Sequence, residues 1–579
     1  MIKVSDLVFN FIAEKGIDTV FTVSGGGCMH LTDSLGKNTS IKYICNHHEQ
    51  ACAMAAEGYA KTKLKPGCIL VTTGPGGTNA LTGVLCAFQD SAPMIIISGQ
   101  VPTNQLSKNT GCRQIGQQEF NIVDTVKSMT KYSVLVSDAN NILYELEKAY
   151  HLAVSNRQGP VWIDIPLDIQ SAEVNPEDLH HYYANNTKSL LNKIKNKYYL
   201  HKLKKLITES KKPVIVIGGG IKSSGTKEQL KELLNRLKIP VMSGPHSAID
   251  IINTDYQYYA GRFGLLGQKT SNCLIQESDL IISLGSRLNP KMIGYDSQKF
   301  APLAKKIIID IDENELTKLN FSKTTYKWKI DLKDFFVISK DITGSNIESW
   351  QKYVVDKRSQ ENLVLPKHES LKSYVSTYVF SKKLEKYLKP DSVIVTSDGT
   401  AHVVPLKTMN LTRDQQLFSN EGTAPMGYGL PASIGAYYGC KKPIICIEGD
   451  GSIMMNLQEL ETIKYHNLPI IIVIINNEGY LSIKLTQNSF FKGHLVATDQ
   501  NTGVSIPSFE DVAKCFQYKY YSIRSNKNID STLSKVFKNP QRCIVEVFTD
   551  PNELHEPKVK AKGIDINGKI IPGELTDIS

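Results

Sequence analysis

The chain has 11 cysteines but no CxxC pair, and an odd count without framework spacing argues for reduced thiols rather than a disulfide scaffold. It also lacks an apolar run long enough to cross a bilayer. Residues 94–97 and 470–475 are too short to span and read as buried parallel strands. Residues 1–7 show no charged segment followed by an apolar core, so no secretion signal is read and a cytoplasmic location is expected. A basic stripe interleaved with aromatics is missing as well. The net charge of +10 comes from 67 Lys and Arg against 57 Asp and Glu, with lysines spread through segments such as 202–212 and 558–562. Such spreading describes a solvated face, so neither nucleic acid nor membrane is an expected partner. No short solenoid period appears.

What is present is a soluble enzyme-like composition, 41% hydrophobic and 21% charged, over 579 residues. That length implies two to four domains. Apolar strands alternate with helical patterns in three blocks, 1–170, 190–342 and 374–550, followed by a tail over 551–579 without a clear period that reads as a lid or arm. Polar stretches over 171–195, including Asn185-Asn186-Thr187-Lys188, and over 343–373 read as linkers. The expected class is α/β, with three doubly wound parallel-sheet domains. The first and third blocks each carry a Gly-containing turn after an apolar strand, which suggests distant duplicates.

The strongest local signal is Glu448-Gly449-Asp450-Gly451-Ser452, followed by the apolar run 470–475 and then Asn476-Asn477. A strand over 444–447, a turn over 449–452, an acidic amphipathic helix over 455–466 and a strand over 469–475 are expected. Asp450 and Asn477 then lie at the carboxyl ends of two parallel strands joined by one crossover, where open α/β sheets place ligands. A carboxylate and an amide oxygen there suit magnesium, while glycines let the backbone approach a diphosphate. An ordinary βαβ turn is the alternative for a GDG taken alone.

GDG, a 27-residue step from Asp450 to Asn477 and an apolar strand ending in Asn-Asn resemble the signature of thiamine-diphosphate-dependent enzymes. The resemblance implies that Asp450, Asn477 and the carbonyl of Gly479 bind Mg2+, with Gly449, Gly451 and Ser452 at the diphosphate. It names the three blocks as pyrimidine-binding, central Rossmann-like and diphosphate-binding domains. Glu49, in the HEQAxAxAAxGYA context, matches the family's catalytic glutamate, whose carboxyl drives the aminopyrimidine toward the tautomer that takes the thiazolium proton. On position alone Glu49 would simply favour a helix dipole. Gly25, Thr73 and Asn79 resemble pyrimidine-side contacts in Gly-rich turns, and Gln118 corresponds to a family glutamine facing the substrate, with Gln117 as its neighbour in register. Gly399, Thr400 and His402 resemble diphosphate contacts, and Met426 matches the bulky apolar residue under the bent cofactor. Cys28, Cys45 and Cys52 read as core thiols.

The run over 90–102 is particularly similar to the acetolactate synthase large subunit. The chain departs from it at Leu167, where a lysine is usual, over 285–291, which replaces an RFDDR-like segment, and after Asn477. The second departure weighs against FAD, which stays open as a cofactor. The resemblance implies loss of carbon dioxide from a pyruvate-like 2-oxo acid and transfer of the acyl fragment to a second carbonyl. Simple decarboxylation, a keto-sugar nucleotide acceptor, flavin-dependent oxidation and a non-catalytic cofactor-binding role are the alternatives. It also implies a homo-oligomer, dimer or tetramer, with Glu49 and the metal supplied by different subunits.

Overall fold

The structure is a computed structural model that describes residues 1–108, 110–184, 190–246, 248–321, 324–412, 414–564, 570–571 and 573–578. Asn185-Asn186-Thr187-Lys188 of the expected linker and Pro572 of the tail lie outside the described residues. Three six-stranded sheets, parallel throughout, each flanked by helices, organise the chain.

In the first sheet the spatial order is Lys42–Cys45, Thr19–Thr22, Gly67–Val71, Met94–Gln100, Pro160–Pro166 and Tyr132–Leu135. The third sheet runs Gln416–Phe418, Val393–Thr396, Ile444–Gly449, Ile470–Asn476, Cys543–Phe548 and Lys519–Ile523. Counted along each domain, both orders are 2-1-3-4-6-5, so the first and third domains share one topology. The central sheet, Tyr259–Arg262, Val241–Ser243, Pro213–Ile217, Leu280–Leu284, Lys305–Asp310 and Thr325–Lys329, has the order 3-2-1-4-5-6 of a dinucleotide-type fold. Strands such as Ile470–Asn476 are buried on both faces, which explains their unbroken apolar sequence.

One helix pair joins the first and third domains. Glu49–Lys63 is rich in small residues and buried almost all round, and it packs on Gly429–Cys440 so closely that glycine is needed at the crossing. A Cβ at Gly58 would stand 2.1 Å from the Ala432 carbonyl oxygen, and one at Gly435 only 1.7 Å from that of Ala55. Around this crossing, Tyr59, Val84, Ile434 and Ile444 share one apolar core. Polar ties run through the same interface. Lys61 Nζ lies 2.6 Å from Glu57, 2.7 Å from Asp90 and 2.7 Å from the Ser419 carbonyl oxygen, while Asn420 donates to Glu57 at 2.9 Å. Asn46 donates to Glu459 at 2.7 Å.

Three expectations change. The turn expected over 449–452 and the helix expected over 455–466 are two helical pieces, Asp450–Ile453 and Glu459–Tyr465, and Asn456 between them donates to the Gly427 carbonyl at 2.9 Å. Glu459 opens the second piece fully buried rather than on a solvated face. Cys45 is exposed, since its strand is at a sheet edge, whereas Cys28 and Cys52 are buried. The tail packs against both neighbouring domains. Glu553 accepts from Ser376 Oγ (2.7 Å) in the third domain, and Leu575 and Ile578 are buried in the central core. No helix among the described residues is long and apolar enough to cross a membrane.

Candidate active site

The register pairs Gly449 with Ile475, so the strands Ile444–Gly449 and Ile470–Asn476 end side by side and set Asp450 against Asn477. Asp450 is buried. Its Oδ1 accepts from Gly451 N at 2.9 Å, and its Oδ2 from Asn477 N (3.2 Å) and Gly479 N (2.9 Å), which fixes the carboxyl in one orientation. Burial nevertheless pushes its pKa up to about 7. Asn477 Oδ1 is buried without a hydrogen-bond partner among the described residues, while its Nδ2 donates to Thr400 Oγ1 at 3.4 Å. Gly479 has φ +131°, and a Cβ there would meet the Thr498 carbonyl oxygen at 2.3 Å. A buried carboxyl beside an orphaned amide oxygen is a donor set that fits a small hard cation.

Around this pair the turns converge. Ser452 Oγ lies 2.7 Å from Ser397 Oγ and accepts from Gly427 N at 2.9 Å, tying the Asp450 turn to the segment that carries Met426. Gly427, at φ +78°, has no room for a side chain, because a Cβ would come 2.6 Å from that of Met455. Met426 beside it is partly buried. Gly399, at φ +61°, caps the helix Thr400–Thr408, and Tyr480 lies over Gly451, whose Cβ would meet the ring at 2.3 Å. Gly449 has extended backbone and is not required by its φ.

The residues expected on the pyrimidine side lie in the first domain. Glu49 is the first residue of its helix, is 8% exposed and accepts from Asn79 Nδ2 at 3.0 Å. His48 caps this helix by accepting from Gln50 N at 3.1 Å. A Cβ on Gly76 would lie 3.6 Å from Glu49 Oε1, so the Gly-rich turn forms one wall of the carboxyl's surroundings. Thr72 packs against Gly25 and accepts from Gly27 N at 3.2 Å, and Thr73 donates to the Gly99 carbonyl at 3.0 Å. Gln118 is exposed with φ +66°, and its carbonyl oxygen would be 2.4 Å from a Cβ on Gly74. Gly25, Glu49, Thr73, Asn79 and Gln118 are thus neighbours through the turns at 25–27 and 72–76.

His402 is turned toward a different neighbourhood, with Nε2 3.2 Å from Glu421 and its ring against His246. Burial lowers the His246 pKa to about 4, and although burial opposes charge on Glu421, the two imidazoles hold that carboxyl well below its usual value. Sequence reasoning missed His555, which is buried with Nε2 2.9 Å from Thr400 Oγ1, and whose pKa burial drives down to about 3. It also missed Ser397, which adjoins the Asp398-Gly399 turn and could have been found from that position.

Family models match three segments: the N-terminal TPP binding domain of thiamine pyrophosphate enzymes over residues 2–126, the central domain over 200–335 and the C-terminal TPP binding domain over 398–547. The acetolactate synthase large subunit of Lactococcus lactis is 30% identical over 96% of this chain and 94% of its own length. That of Haemophilus influenzae is 28% identical over 99% of both chains, and the chloroplastic acetolactate synthase of Arabidopsis thaliana is 31% identical over 88% of this chain and 74% of its own. With both halves of the cofactor site recognised by these models in their expected order, the chain belongs to the thiamine-diphosphate-dependent enzymes and is similar to acetolactate synthase large subunits over nearly its whole length.

Proposed function

We propose that the protein is a magnesium-dependent carboligase that removes carbon dioxide from a pyruvate-like 2-oxo acid and transfers the acyl fragment to a second carbonyl. The single observation that supports this most is the buried Asp450 carboxyl beside the unpartnered Asn477 oxygen, at the strand ends of the matched C-terminal domain. Thiamine diphosphate, when bound, supplies the carbon nucleophile. Asp450, Asn477 and the Gly479 carbonyl would hold Mg2+, and Gly399, Thr400, Gly449, Gly451 and Ser452 would receive the diphosphate. Met426 would support the cofactor from below, and Gly25, Thr73 and Asn79 would line the pyrimidine side. Glu49 would move the proton at the pyrimidine nitrogen, and Gln118 would orient the acyl donor.

A homodimer, or a tetramer of two, follows in this reading. Met29 near the first half, and Met454, Met455 and Ile483 near the second, are exposed in a single chain, an apolar fringe that a second subunit would cover. Product analysis tests the function. With thiamine diphosphate, Mg2+ and pyruvate, mass spectrometry should find acetolactate as a ligation product, and acetaldehyde alone would replace this reading with simple decarboxylation.

A second reading concerns the acceptor. A cavity of about 360 Å³ opens at the switch point of the central sheet, where Gly218–Gly220 and Gly285 follow adjacent strands, and it reaches Asp310, Arg287 and Gly422. Crevices at such switch points take nucleotides, so a keto-sugar nucleotide acceptor, or bound FAD, is the second reading. Absorbance of the purified protein separates the two, since a flavin is yellow and a sugar nucleotide is not.

A further inference from the structure

The helix Thr400–Thr408 carries His402 to the boundary with the central domain. There it meets His246, which follows the strand Val241–Ser243, and Glu421, which follows Gln416–Phe418. Glu421 Oε2 lies 3.2 Å from His402 Nε2 and 3.5 Å from His246 Nδ1, and one ligand atom from each residue falls within 4.8 Å of the other two. Both imidazoles are buried, with ring centroids 4.5 Å apart. Beyond these contacts with one another, none of their four nitrogens has a hydrogen-bond partner among the described residues, and neither has Glu421 Oε2. Buried polar atoms are normally satisfied, so a cluster of orphans points to a ligand that they would hold together.

A tetrahedral ion with bonds of about 2.1 Å sets its ligand atoms about 3.4 Å apart, close to the 3.2 and 3.5 Å from Glu421 Oε2 to the two imidazole nitrogens. Two imidazole nitrogens and one carboxylate oxygen are a donor set for zinc, and not for magnesium, which prefers oxygen throughout. Lys291 Nζ lies 3.6 Å from the other Glu421 oxygen, Oε1, which leaves Oε2 to the imidazoles. His246 and Glu421 also line the cavity described above, so an ion there has an entry path and a position not filled by protein.

We propose that His246 Nδ1, His402 Nε2 and Glu421 Oε2 form a second metal site, for a zinc-class divalent cation, with its fourth position open to the interdomain cavity. That position would take water or an oxygen atom of a molecule bound in the cavity. Because His246 belongs to the central domain and the other two ligands to the third, the ion also clips the two domains together. The site shares no residue with Asp450 and Asn477 and does not depend on the activity proposed above.

The test uses the full chain, made without a histidine tag, loaded with thiamine diphosphate and Mg2+, given zinc and dialysed. Elemental analysis should find one zinc per chain in the wild type, and His246→Ala and Glu421→Gln should each lower it roughly tenfold or more, at least the loss seen when support of a metal ligand is removed. Cobalt in place of zinc should give the visible spectrum of a tetrahedral ion in the wild type and lose it in both variants. His246→Gln, which nearly keeps the side-chain volume, serves if His246→Ala does not fold. Wild-type protein without zinc, or variants that retain the wild-type content because the metal sits on cysteines elsewhere, would overturn the proposal.

Discussion

Lys61→Met tests the buried polar tie between the first and third domains. The Lys61 side chain is 15% exposed, that of Glu57 0% and that of Asp90 13%, so one cation serves two carboxylates largely out of water. Burial opposes charge on Lys61, but Asp90 and Glu57 outweigh it and hold its ammonium protonated. Methionine would nearly keep the volume and remove the charge. Asp90 would still accept from the backbone of Glu421 (3.1 Å) and Gly422 (2.7 Å), but Glu57 would keep only Asn420, with Oε2 unsatisfied. Stranding a buried charge in this way costs about 3–5 kcal/mol. The double variant Lys61→Met with Glu57→Gln removes the stranded charge and should recover about 2–3 kcal/mol, the upper end of coupling between contacting residues. Urea unfolding of the four proteins in the cycle, followed by circular dichroism, measures both quantities. A cost for Lys61→Met below about 1 kcal/mol, the size expected of an exposed ion pair, would refute the reasoning.

Asp164 makes a pH prediction. Burial pushes its pKa from 3.8 up to about 7, although Ser98 Oγ (2.5 Å) and Gln100 (2.9 Å) donate to it. Its folded-state pKa is raised, so the stability it contributes is present below about pH 4 and is lost as pH rises through about 7, a span worth about 4 kcal/mol by linkage. Asp164→Asn should flatten the fall in thermal midpoint between those pH values, and an unchanged slope would count against the assignment. Gly435→Ala should destabilise by about 1–3 kcal/mol through overpacking against Ala55, and calorimetry should show a lower first transition.

The segments that carry the expected site residues were legible because each uses short-range grammar. An apolar run buried on both faces and ended by Gly-Asp-Gly or Asn-Asn announces a parallel strand and its ligand end, and the Glu49 helix declares itself through the strand before it and the small residues after it. The shared topology of the first and third sheets was visible only as paired turns, since strand order is set by contacts far apart in the chain. The interdomain lock was illegible for the same reason. Glu459 looks like an exposed helix residue until Asn46, 413 positions away, is brought against it. The tail has no period because it is held by point contacts, from Glu553 to Ser376 and from Leu575 to Asn272, rather than by one continuous face. His246, His402 and Glu421 come from three segments with no common motif, and only the packing of two domains gathers them.

The central claim is that Glu49 and the Asp450–Asn477 site form one thiamine diphosphate centre. The most direct measurement is the rate at which the C2 proton of enzyme-bound thiamine diphosphate exchanges into deuterium oxide, compared between the wild type and Glu49→Gln at saturating cofactor and Mg2+. Glu49→Gln should still bind the cofactor but exchange slower by on the order of a hundredfold or more. Exchange within about tenfold of the wild type, below the range of a general acid–base contribution, would contradict it.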